Sequence, residues 1–315
     1  MTVRIISRDN GVGLGRDLQL VAGILRTAGV DVDTLGFGSD KWLIALQQMA
    51  LRLMGRRVDT QIFMERVYPR CLPLARRNVL IPNPEWTTPA FQKLLGRFDR
   101  ILCKTRHAVD IFEALGCATS YIGFTSEDRL DPSVARERRF FHLAGRSSAK
   151  GTQTLLATWM RHPEWPRLTV VQDVKTATAT PPVANIDHVI GHVDDARLRR
   201  MQNQHLFHLC PSEAEGFGHY LMEGLSVGAI VLATDGAPMN ELVTPERGVL
   251  IRPARTGVLN LAPRYFVDIA GVEAAVEAAL RLDTDQCASL SSAARRFFLD
   301  NDSEFRRRLL PIITG

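Results

Sequence analysis

The sequence predicts an α/β protein made of two Rossmann-like domains, each built on a doubly wound parallel sheet. Short apolar segments typical of strands alternate with segments typical of amphipathic helices, which is the pattern of parallel sheets with crossover helices. The alternation begins at the N-terminus and starts again near residue 138. We therefore expect two such domains facing a central cleft.

The first half opens with a strand, a glycine-rich turn and a helix, in VRIISRDNGVGLGRDLQLVAGILRTAG. VDVDTLGFG is the predicted second strand, and RNVLIPN and DRILCKT are later strands. DRILCKT leads into a helix, RHAVDIFEALG, that closes on Gly116. Glycine at that position is typical of a helix C-terminus.

The second half repeats strand, turn and helix in RRFFHLAGRSSAKGTQTLLATWM, followed by strands at RLTVVQD, NIDHVIGH, HLFHLCPS and AIVLAT. The polar stretch Thr125–Arg138 separates the two patterns. We predict an N-terminal domain over 1–130 and a C-terminal domain over 131–295. The helical segment 296–315 has no strand after it and is expected to pack back on the N-terminal domain.

Composition is that of a globular protein, with 45% hydrophobic and 23% charged residues among 315. No stretch approaches the roughly 20 apolar residues of a membrane span, and MTVRIISRDNG lacks the features of a signal peptide. Five scattered cysteines have neither paired nor metal-type spacing. These observations predict a cytoplasmic protein with reduced thiols and no transmembrane segment.

The glycine-rich turn raises the alternative of a dinucleotide-binding domain. The fingerprint requires Gly-x-Gly-x-x-Gly, whereas this turn has Gly11, Gly13 and Gly15, with Arg16 where the third glycine belongs. The second strand ends TLGFG, without the carboxylate that would hold a ribose. Dinucleotide binding is therefore disfavoured, although Gly13 in such a turn still suits close approach to a phosphate.

The segment SEAEGFGHYLMEGLSVGA contains the strongest chemical signal. Glu215 follows an apolar strand, at the carboxyl edge where doubly wound sheets bind ligands. Gly216, Phe217 and Gly218 form a predicted turn, and a helix beginning near His219 carries Glu223. Two carboxylates with a helix N-terminus between them suit two hydroxyl-bearing groups, such as a hexose and a ribose, joined by a diphosphate.

This segment resembles the glutamate–seven–glutamate signature of retaining GT-B glycosyltransferases, the group 1 or family 4 class. The resemblance implies that Glu215 holds donor-sugar hydroxyls and Glu223 the nucleotide ribose. The continuation AIVLATDGAPMNELV is similar to the family's next strand, glycine loop and glutamate, here Glu241. The implied function is transfer of a sugar from a nucleotide-diphosphate sugar.

A second patch, FFHLAGRSSAKGTQTLL, is similar to the family's strand ending in Gly-Arg with Lys-Gly at the next helix. By this resemblance Arg146 and Lys150 neutralise the donor diphosphate, whose charge grows as the glycosidic bond breaks. The turn Gly191–Val193 corresponds to the nucleobase contact, made by Gly191 and Val193. The N-terminal glycine loop corresponds to the loop that meets donor phosphate and acceptor.

The acceptor side departs from the family pattern. Many members carry a histidine after the fourth N-terminal strand, where this chain has Asn83, Pro84 and Glu85. Asn83 and Glu85 are therefore the acceptor-side candidates. The family's Asn-Gly-Val-Asp linker is also replaced, by IGFTSED.

Neither a metal nor a separate cofactor is expected. Asp-x-Asp triplets begin at Asp31, Asp283 and Asp300, but they lie before a strand or in C-terminal helical or loop regions. The resemblance implies a metal-independent reaction that retains anomeric configuration, in which the leaving phosphate helps to deprotonate the acceptor. No enzymatic nucleophile is then needed.

Net charge is +5, and residues 52–106 contain twelve Lys/Arg against four Asp/Glu. This excess suggests an anionic acceptor, or one displayed on an anionic surface: a glycan, a lipid-linked glycan or a modified DNA base. The helix SDKWLIALQQMALRLMGRR places Trp42, Leu46, Met49 and Leu53 on one face, which suits peripheral contact with the inner membrane surface.

Ile44, Ala45 and Leu51 widen the apolar face of that helix, which favours ordinary packing on the N-terminal sheet. Two other functions stay open from the sequence: a catalytically inactive nucleotide-sugar-binding protein and a basic nucleic-acid-binding protein. The intact donor residues oppose the first, and the lack of a helix-turn-helix or zinc pattern opposes the second.

Overall fold

The computed structural model describes residues 1–8, 13–54, 57–177 and 181–315, without the side chains of residues 13, 14, 41 and 54. The glycine-turn residues up to Val12 therefore lie outside the described residues, as does Arg56 of the basic segment.

The chain divides into two compact units. Unit 1 comprises Met1–Phe124 and Ser303–Gly315, and unit 2 comprises Thr125–Asp302. The boundary after Phe124 lies slightly before the one expected at residue 130, at the start of the polar stretch that suggested it. The segment that rejoins unit 1 begins slightly after the expected residue 296.

Unit 1 is built on a parallel sheet of six strands. They are β1 Thr2–Arg8, β2 Asp31–Phe37, β3 Val58–Met64, β4 Ala75–Ile81, β5 Arg100–Cys103 and β6 Thr119–Tyr121. Their spatial order is β2-β1-β3-β4-β5-β6, with every pairing parallel. The order reverses between β1 and β3, which is the switch point of a doubly wound sheet.

The first four helices belong to unit 1: α1 Gly13–Thr27, α2 Lys41–Met54, α3 Pro89–Gln92 and α4 Arg106–Ala114. Single 3₁₀ turns lie at Pro69–Leu74, Pro84–Trp86 and Leu95–Arg97. Thr105 caps α4 by accepting the Ala108 N–H. Gly116 then adopts φ 75°, as expected for the residue that closes this helix.

The sequence of helix α2 favours packing of its apolar face on the sheet, but in the structure much of that face is exposed. Gln48 is buried and Ile44 and Leu51 are half-buried on its inner side, whereas the large apolar side chains of another face are exposed. Those exposed residues are Trp42 at 68%, Leu43 at 51%, Leu46 at 40%, Met49 at 55% and Leu53 at 80%. Packing therefore leaves uncovered the face that includes Trp42, Leu46, Met49 and Leu53.

Unit 2 contains the second parallel sheet of six strands. They are β7 Glu137–Gly145, β8 Leu168–Gln172, β9 Ile186–Ile190, β10 His205–Cys210, β11 Ile230–Thr234 and β12 Gly248–Ile251. The spatial order is β12-β11-β10-β7-β8-β9, again with parallel pairings. These six-stranded sheets with flanking helices confirm the predicted fold class.

Helices flank this sheet and one hairpin lies outside it. The helices are α5 Thr152–Arg161, α6 Asp195–Gln204, α7 His219–Ser226, α8 Met239–Leu242, α9 Ile269–Arg281 and α10 Thr284–Thr314, the last of which continues into unit 1 from Ser303. The antiparallel hairpin consists of β13 Arg255–Leu259 and β14 Ala262–Phe266. The sequence pattern did not predict this hairpin.

The end of α10 packs on unit 1. The Phe305 ring lies 5.0 Å from the Phe124 ring, and Arg308 lies over Tyr121. Arg77 donates a hydrogen bond of 2.6 Å to the Ile312 carbonyl. The C-terminal segment thus contributes apolar side chains and a carbonyl acceptor to the first unit's core.

Aromatic packing fixes the core of unit 2. Phe140 on β7 stacks on Phe207 of β10 with centroids 4.8 Å apart, and meets Trp159 of α5 edge-on at 5.1 Å. Strand β11 is buried along its whole length, as expected for a central strand of a parallel sheet covered on both faces. This core holds β7 and β10 together as neighbours.

The strands of unit 2 also bury histidines in the neutral form. His142 Nδ1 lies 2.8 Å from the Leu209 carbonyl and Nε2 lies 2.9 Å from Thr152 Oγ1. Because a carbonyl only accepts, Nδ1 carries the proton and Nε2 accepts from the threonine hydroxyl. Burial lowers the pKa of His142 to about 4 and that of His208 to about 3.

We expect the stability of the protein to fall as the pH is lowered from about 6.5 towards 4. Over that range the unfolded chain binds a proton at His142 that the folded chain excludes. The contribution of His142 to stability is therefore complete above pH 6.5, is lost as the pH falls towards the folded pKa, and changes little below it. The loss for this residue is about 1–3 kcal/mol at the acid end. Thermal unfolding at a series of pH values should show a shallower decline in His142→Gln.

His162 provides the control, because its imidazole is held by Glu273 and Glu164, which raise its pKa. Its contribution has the opposite sign: it is present at low pH and is lost as the pH rises through the folded pKa. His162→Gln should therefore not flatten the acid decline. A His142→Gln variant with the wild-type pH slope would contradict the assignment.

Candidate active site

All three predicted catalytic residues follow the carboxyl ends of β7 and β10. The two strands are neighbours at the point where the strand order of unit 2 reverses. Arg146 and Lys150 follow β7, and Glu215 follows β10. Loops from both strands therefore meet at the edge where doubly wound sheets bind ligands.

Lys150 and Glu215 form an ion pair at this edge. Lys150 Nζ lies 2.6 Å from Glu215 Oε1, and both side chains are largely buried, with exposures of 16% and 15%. Gly151 makes the approach of the two loops possible: it has φ 64°, and a Cβ there would lie 2.7 Å from the Pro211 carbonyl oxygen. The residue after Lys150 must therefore be glycine for this geometry.

Two further side chains hold the ion pair. Ser212 Oγ donates to the same Glu215 oxygen at 2.5 Å, and Tyr220 Oη lies 2.5 Å from Ser212 Oγ. Since serine has a single hydroxyl proton, Tyr220 is the donor to Ser212. Burial raises the pKa of Tyr220 well above its usual value, which keeps it protonated. The Lys150 ammonium lies 3.4 Å from the centre of the Tyr220 ring.

Arg146 lies apart from this cluster. Its side chain is 67% exposed, and Nε donates to Asp173 Oδ2 at 3.1 Å, just after β8. The backbone N–H of Lys175 and the Arg146 side chain lower the pKa of Asp173. Arg146 is thus tethered at the rim by an exposed, weak contact.

Glu223 lies on the second turn of α7 and is 3% exposed. Gln202 of α6 donates from Nε2 to Glu223 Oε2 at 2.7 Å, and its Oε1 accepts from Arg129 Nε at 2.9 Å. Arg129 is itself buried and pairs with Asp195 at 2.8 Å. A glutamine amide therefore connects a buried carboxylate to a buried guanidinium.

The turn between the two glutamates begins α7 where the sequence predicts it. Gly216, Phe217 and Gly218 are all buried, and Gly218 has φ 102° immediately before the helix starts at His219. The Phe217 side chain belongs to the core. His219 Nδ1 lies 2.7 Å from Ser126 Oγ.

The remaining donor-side candidates lie on separate elements. Gly191, with φ 128°, follows β9 and donates its N–H to the Gln172 carbonyl at 2.9 Å; Val193, two residues later, is half-buried. Glu241 is half-buried on α8, after β11. Gly13 is the first residue of α1 in unit 1.

Asn83 and Glu85 are both buried after β4 in unit 1. Asn83 Nδ2 donates to Glu65 Oε1 at 2.5 Å, and Lys104, after β5, lies 3.8 Å from the same carboxylate and 3.0 Å from Asp17. Burial alone would lower the pKa of Lys104, but the Asp17 and Glu65 carboxylates outweigh it and raise the pKa. This polar cluster of Asp17, Glu65, Asn83, Glu85 and Lys104 thus contains three carboxylates and one ammonium.

Sequence reasoning missed the residues that hold the candidates in place. The two glutamates are supported by Ser212, Tyr220 and Gln202. On the acceptor side, Glu65 accepts a hydrogen bond from Asn83, and Lys104 lies beside Glu65. Position offers a partial signal, because Ser212, Glu65 and Lys104 each follow the carboxyl end of a strand. Gln202 lies on a polar helix and gives no such signal.

Three features bear on metals, membranes and thiols. Among the described residues, no group of three or more His, Cys, Asp or Glu side chains is arranged to hold a metal ion. No helix in the described parts of the chain is both long and apolar enough to cross a membrane. All five cysteines are free thiols.

The part of the chain that matches a known protein family includes several of the candidate site residues. The model of the family glycosyl transferases group 1 matches residues 184–268, which include Gly191, Glu215, Glu223 and Glu241. Residues 184–268 are therefore similar to a segment of that family. The resemblance predicted from the glutamate signature is thereby confirmed. No curated protein has a significantly similar sequence.

Solved structures with the same GT-B fold are similar over nearly the whole chain. An E. coli trehalose-6-phosphate structure bound with UDP-2-fluoro glucose has TM-score 0.74 and 11% identity, covering 99% of each chain. The sucrose-phosphate synthase of Thermosynechococcus elongatus has TM-score 0.73 and 12% identity, covering 99% of this chain and 98% of its own. WaaG, a glycosyltransferase involved in lipopolysaccharide biosynthesis, has TM-score 0.63 and 12% identity, covering 100% of both.

We expect Gln202→Ala to destabilise the protein by about 2–4 kcal/mol, because it removes the amide that joins buried Glu223 to buried Arg129. Urea unfolding monitored by circular dichroism measures the change. Gln204→Ala, on the same helix, is the matched control: its amide bonds to Glu137, which is only half-buried, so the loss should stay within about 1 kcal/mol. Equally small losses of unfolding free energy in Gln202→Ala and Gln204→Ala would contradict the stabilising role of the Glu223–Gln202–Arg129 contacts.

Proposed function

We propose that this protein is a retaining glycosyltransferase that transfers a sugar from a nucleotide-diphosphate sugar to an acceptor hydroxyl. The observation that carries the proposal is the Lys150–Glu215 pair at the carboxyl ends of β7 and β10, with Glu215 inside the matched family segment. A structure of the same fold bound with UDP-2-fluoro glucose supports a sugar nucleotide as donor.

Donor binding would rearrange the charges of the pair. In the unliganded protein Lys150 and Glu215 neutralise each other at 2.6 Å. A diphosphate attracts the ammonium more strongly than one carboxylate does, because it carries more negative charge. Glu215 Oε1 is then released to accept a sugar hydroxyl, while Ser212 still orients the carboxylate.

The rest of the donor is assigned to unit 2. Glu223 accepts the ribose hydroxyls, with its carboxylate oriented by Gln202. Backbone groups of Gly216, Phe217 and Gly218 meet the sugar and phosphate at the start of α7, where the helix dipole favours negative charge. Gly191 and Val193 contact the nucleobase, and Glu241 a donor-sugar hydroxyl.

In the transfer step the bond between the anomeric carbon and the β-phosphate oxygen breaks. The acceptor hydroxyl oxygen bonds to the anomeric carbon on the same face, and its proton goes to the departing phosphate. Lys150 stabilises the growing charge on the diphosphate, and Arg146 joins it by leaving its exposed contact with Asp173. These two cations make a metal ion unnecessary in the proposed mechanism.

The acceptor is assigned to unit 1, with Asn83 and Glu85 as its contacts. Their cluster contains Asp17, Glu65 and Glu85 against the single cation Lys104. Such a balance favours a neutral hydroxyl-bearing group at this edge over a phosphate. We therefore assign the anionic character to the surface that displays the acceptor, and not to the reacting group.

Helix α2 supplies the contact with such a surface. Its exposed apolar residues surround a shallow cavity of about 240 Å³ lined by Trp42, Ala45, Leu46, Met49, Arg52 and Arg70. Exposed Arg57 follows the helix in the chain. Apolar side chains flanked by arginines are typical of a helix that lies on an anionic bilayer. By contrast, Arg76 pairs with Asp59, and Arg77 bonds to the Ile312 carbonyl.

We expect Glu223→Ala to weaken binding of the nucleoside diphosphate by about 1.5–3 kcal/mol, because the ribose loses a charged acceptor. Glu215→Ala should act mainly on turnover through sugar positioning. Wild type is first screened with uridine, guanosine and adenosine diphosphates by calorimetry. Donor hydrolysis and transfer are then measured with the sugar nucleotides of the base that binds.

Exposed Glu277 on α9 is the matched control, and Glu277→Ala should keep wild-type affinity and rate. If both site variants also keep them, the donor-site assignment is wrong. Binding of DNA without any nucleoside diphosphate would favour the basic nucleic-acid-binding alternative. Nucleoside diphosphate binding without hydrolysis or transfer across the donors would favour a catalytically inactive sugar-nucleotide-binding protein.

We expect the protein to sediment with vesicles of phosphatidylcholine containing about 30% phosphatidylserine, and less with phosphatidylcholine alone. Raised salt should weaken the association, since exposed charges are screened over about 8–10 Å at physiological ionic strength. Trp42→Ser with Leu46→Ser should reduce sedimentation several-fold. Leu299→Ser, which removes an exposed leucine on α10, should not. Equal sedimentation of the two variants would refute the α2 contact.

A further inference from the structure

The β13–β14 hairpin lies between β12 and α9, outside the parallel sheet of unit 2. Its first strand is mostly exposed, and Val258 near the tip is 77% exposed. Its second strand contacts two loops that follow neighbouring sheet strands. One loop follows β10 and carries Glu215, and the other follows β11 and leads into α8.

The first contact is through Glu213, two residues before Glu215. The Tyr265 N–H donates to the Glu213 carbonyl at 2.7 Å, and Arg264 Nε donates to Glu213 Oε2 at 2.6 Å. The Glu213 N–H in turn donates to the carbonyl of Ala149, the residue before Lys150, at 3.0 Å. Glu213 therefore connects the hairpin to the segments that carry both members of the ion pair.

The second contact is through the Tyr265 ring. A Cβ placed on Gly236 would lie 2.5 Å from that ring, so the ring packs directly against the glycine. The Ala237 N–H donates to Tyr265 Oη at 3.2 Å. Loop 235–238, which precedes Glu241, is therefore held by the same tyrosine whose backbone holds Glu213.

We infer that the hairpin is a positioning element for the donor site, with Tyr265 and Arg264 as positioning residues. This inference rests on the proposed function. Neither residue needs to touch the donor: together they fix two loops whose groups must be placed within a fraction of an ångström for productive binding. The substrate class is the nucleotide-diphosphate sugar, contacted by the loops that the hairpin fixes.

Ordering these loops before the donor arrives lowers the entropic cost of binding. Loss of the ring or of the Arg264 contact should therefore weaken donor binding while leaving the sheet intact. A residue with only a structural role would lower the unfolding temperature without changing affinity below that temperature. A positioning role therefore changes donor affinity, whereas a purely structural role changes only the unfolding temperature.

The test compares Tyr265→Ala and Arg264→Ala with wild type and with Arg255→Ala. Arg255 is the matched control, because it stacks on the Phe266 ring from the same hairpin, as Arg264 does. Binding of the nucleoside diphosphate selected for wild type, from the uridine, guanosine and adenosine forms, is measured by calorimetry. Amide hydrogen exchange of peptides covering 211–218 and 235–243 is measured without ligand.

Both site variants should weaken binding about tenfold and speed exchange in these peptides, whereas Arg255→Ala should do neither. Tyr265→Phe keeps the ring against Gly236 and should restore most of the affinity. Gly236→Ala should displace the ring and reproduce the Tyr265→Ala defect. Combined with Tyr265→Ala it should add little, because the two changes disrupt one contact.

Wild-type affinity in folded Tyr265→Ala and Arg264→Ala would overturn the inference while leaving the proposed function in place. The inference would also be overturned if Arg255→Ala lost as much nucleoside diphosphate affinity as Tyr265→Ala and Arg264→Ala. A wild-type protein that binds none of the nucleoside diphosphates would refute the proposed function, and this inference with it. If Tyr265→Ala or Arg264→Ala fails to fold, the single variants Tyr265→Phe and Gly236→Ala are each compared with wild type by the same measurements. Wild-type affinity in Gly236→Ala would then overturn the inference.

Discussion

The parallel pairing of β7 with β10 is the constraint on which the candidate site depends. These strands are distant in sequence, and the Phe140–Phe207 stack helps to fix them as neighbours. Parallel strands end at the same edge, so the loops after them must meet. Lys150 and Glu215 are adjacent for that reason, and Gly151 allows the close approach. A change that separated these two strands would remove the site without touching a candidate residue.

A site proposed to bind a diphosphate must keep its charged side chains compensated when that ligand is not bound. An ammonium held alone in a largely buried place would be costly, and so would a lone carboxylate. Pairing Lys150 with Glu215 compensates both charges in the unliganded protein. The same logic applies deeper in unit 2, where Gln202 lies between Glu223 and Arg129 and satisfies both with one amide. The charges of Glu215 and Glu223, the two proposed donor contacts, are thus compensated before the donor arrives.

The sequence predicted what local patterns encode and missed what distant pairings create. Strand and helix order, the start of α7 near His219 and the end of α4 before Gly116 follow from apolar periodicity and from glycines. Gln202 could not be predicted as the partner of Glu223, because that contact depends on how α6 packs beside α7. The β13–β14 hairpin was missed because RTGVLNLAPRYF is short, partly polar and contains a proline, which weakens a strand prediction.

A count of charged residues along the chain does not predict where charge lies on the surface of unit 1. The excess of Lys/Arg over residues 52–106 suggests a single basic surface, but the structure distributes these side chains among different roles. Arg76 and Arg77 lie at the start of β4 and are engaged by Asp59 and the Ile312 carbonyl. The carboxyl edge of the same sheet is acidic, with Lys104 neutralised by its neighbours. Exposed Arg52, Arg57 and Arg70 lie on, after or beside α2, where they could meet an anionic partner. Under the proposed function, the reacting acceptor group and the surface that presents it would therefore follow opposite electrostatic rules.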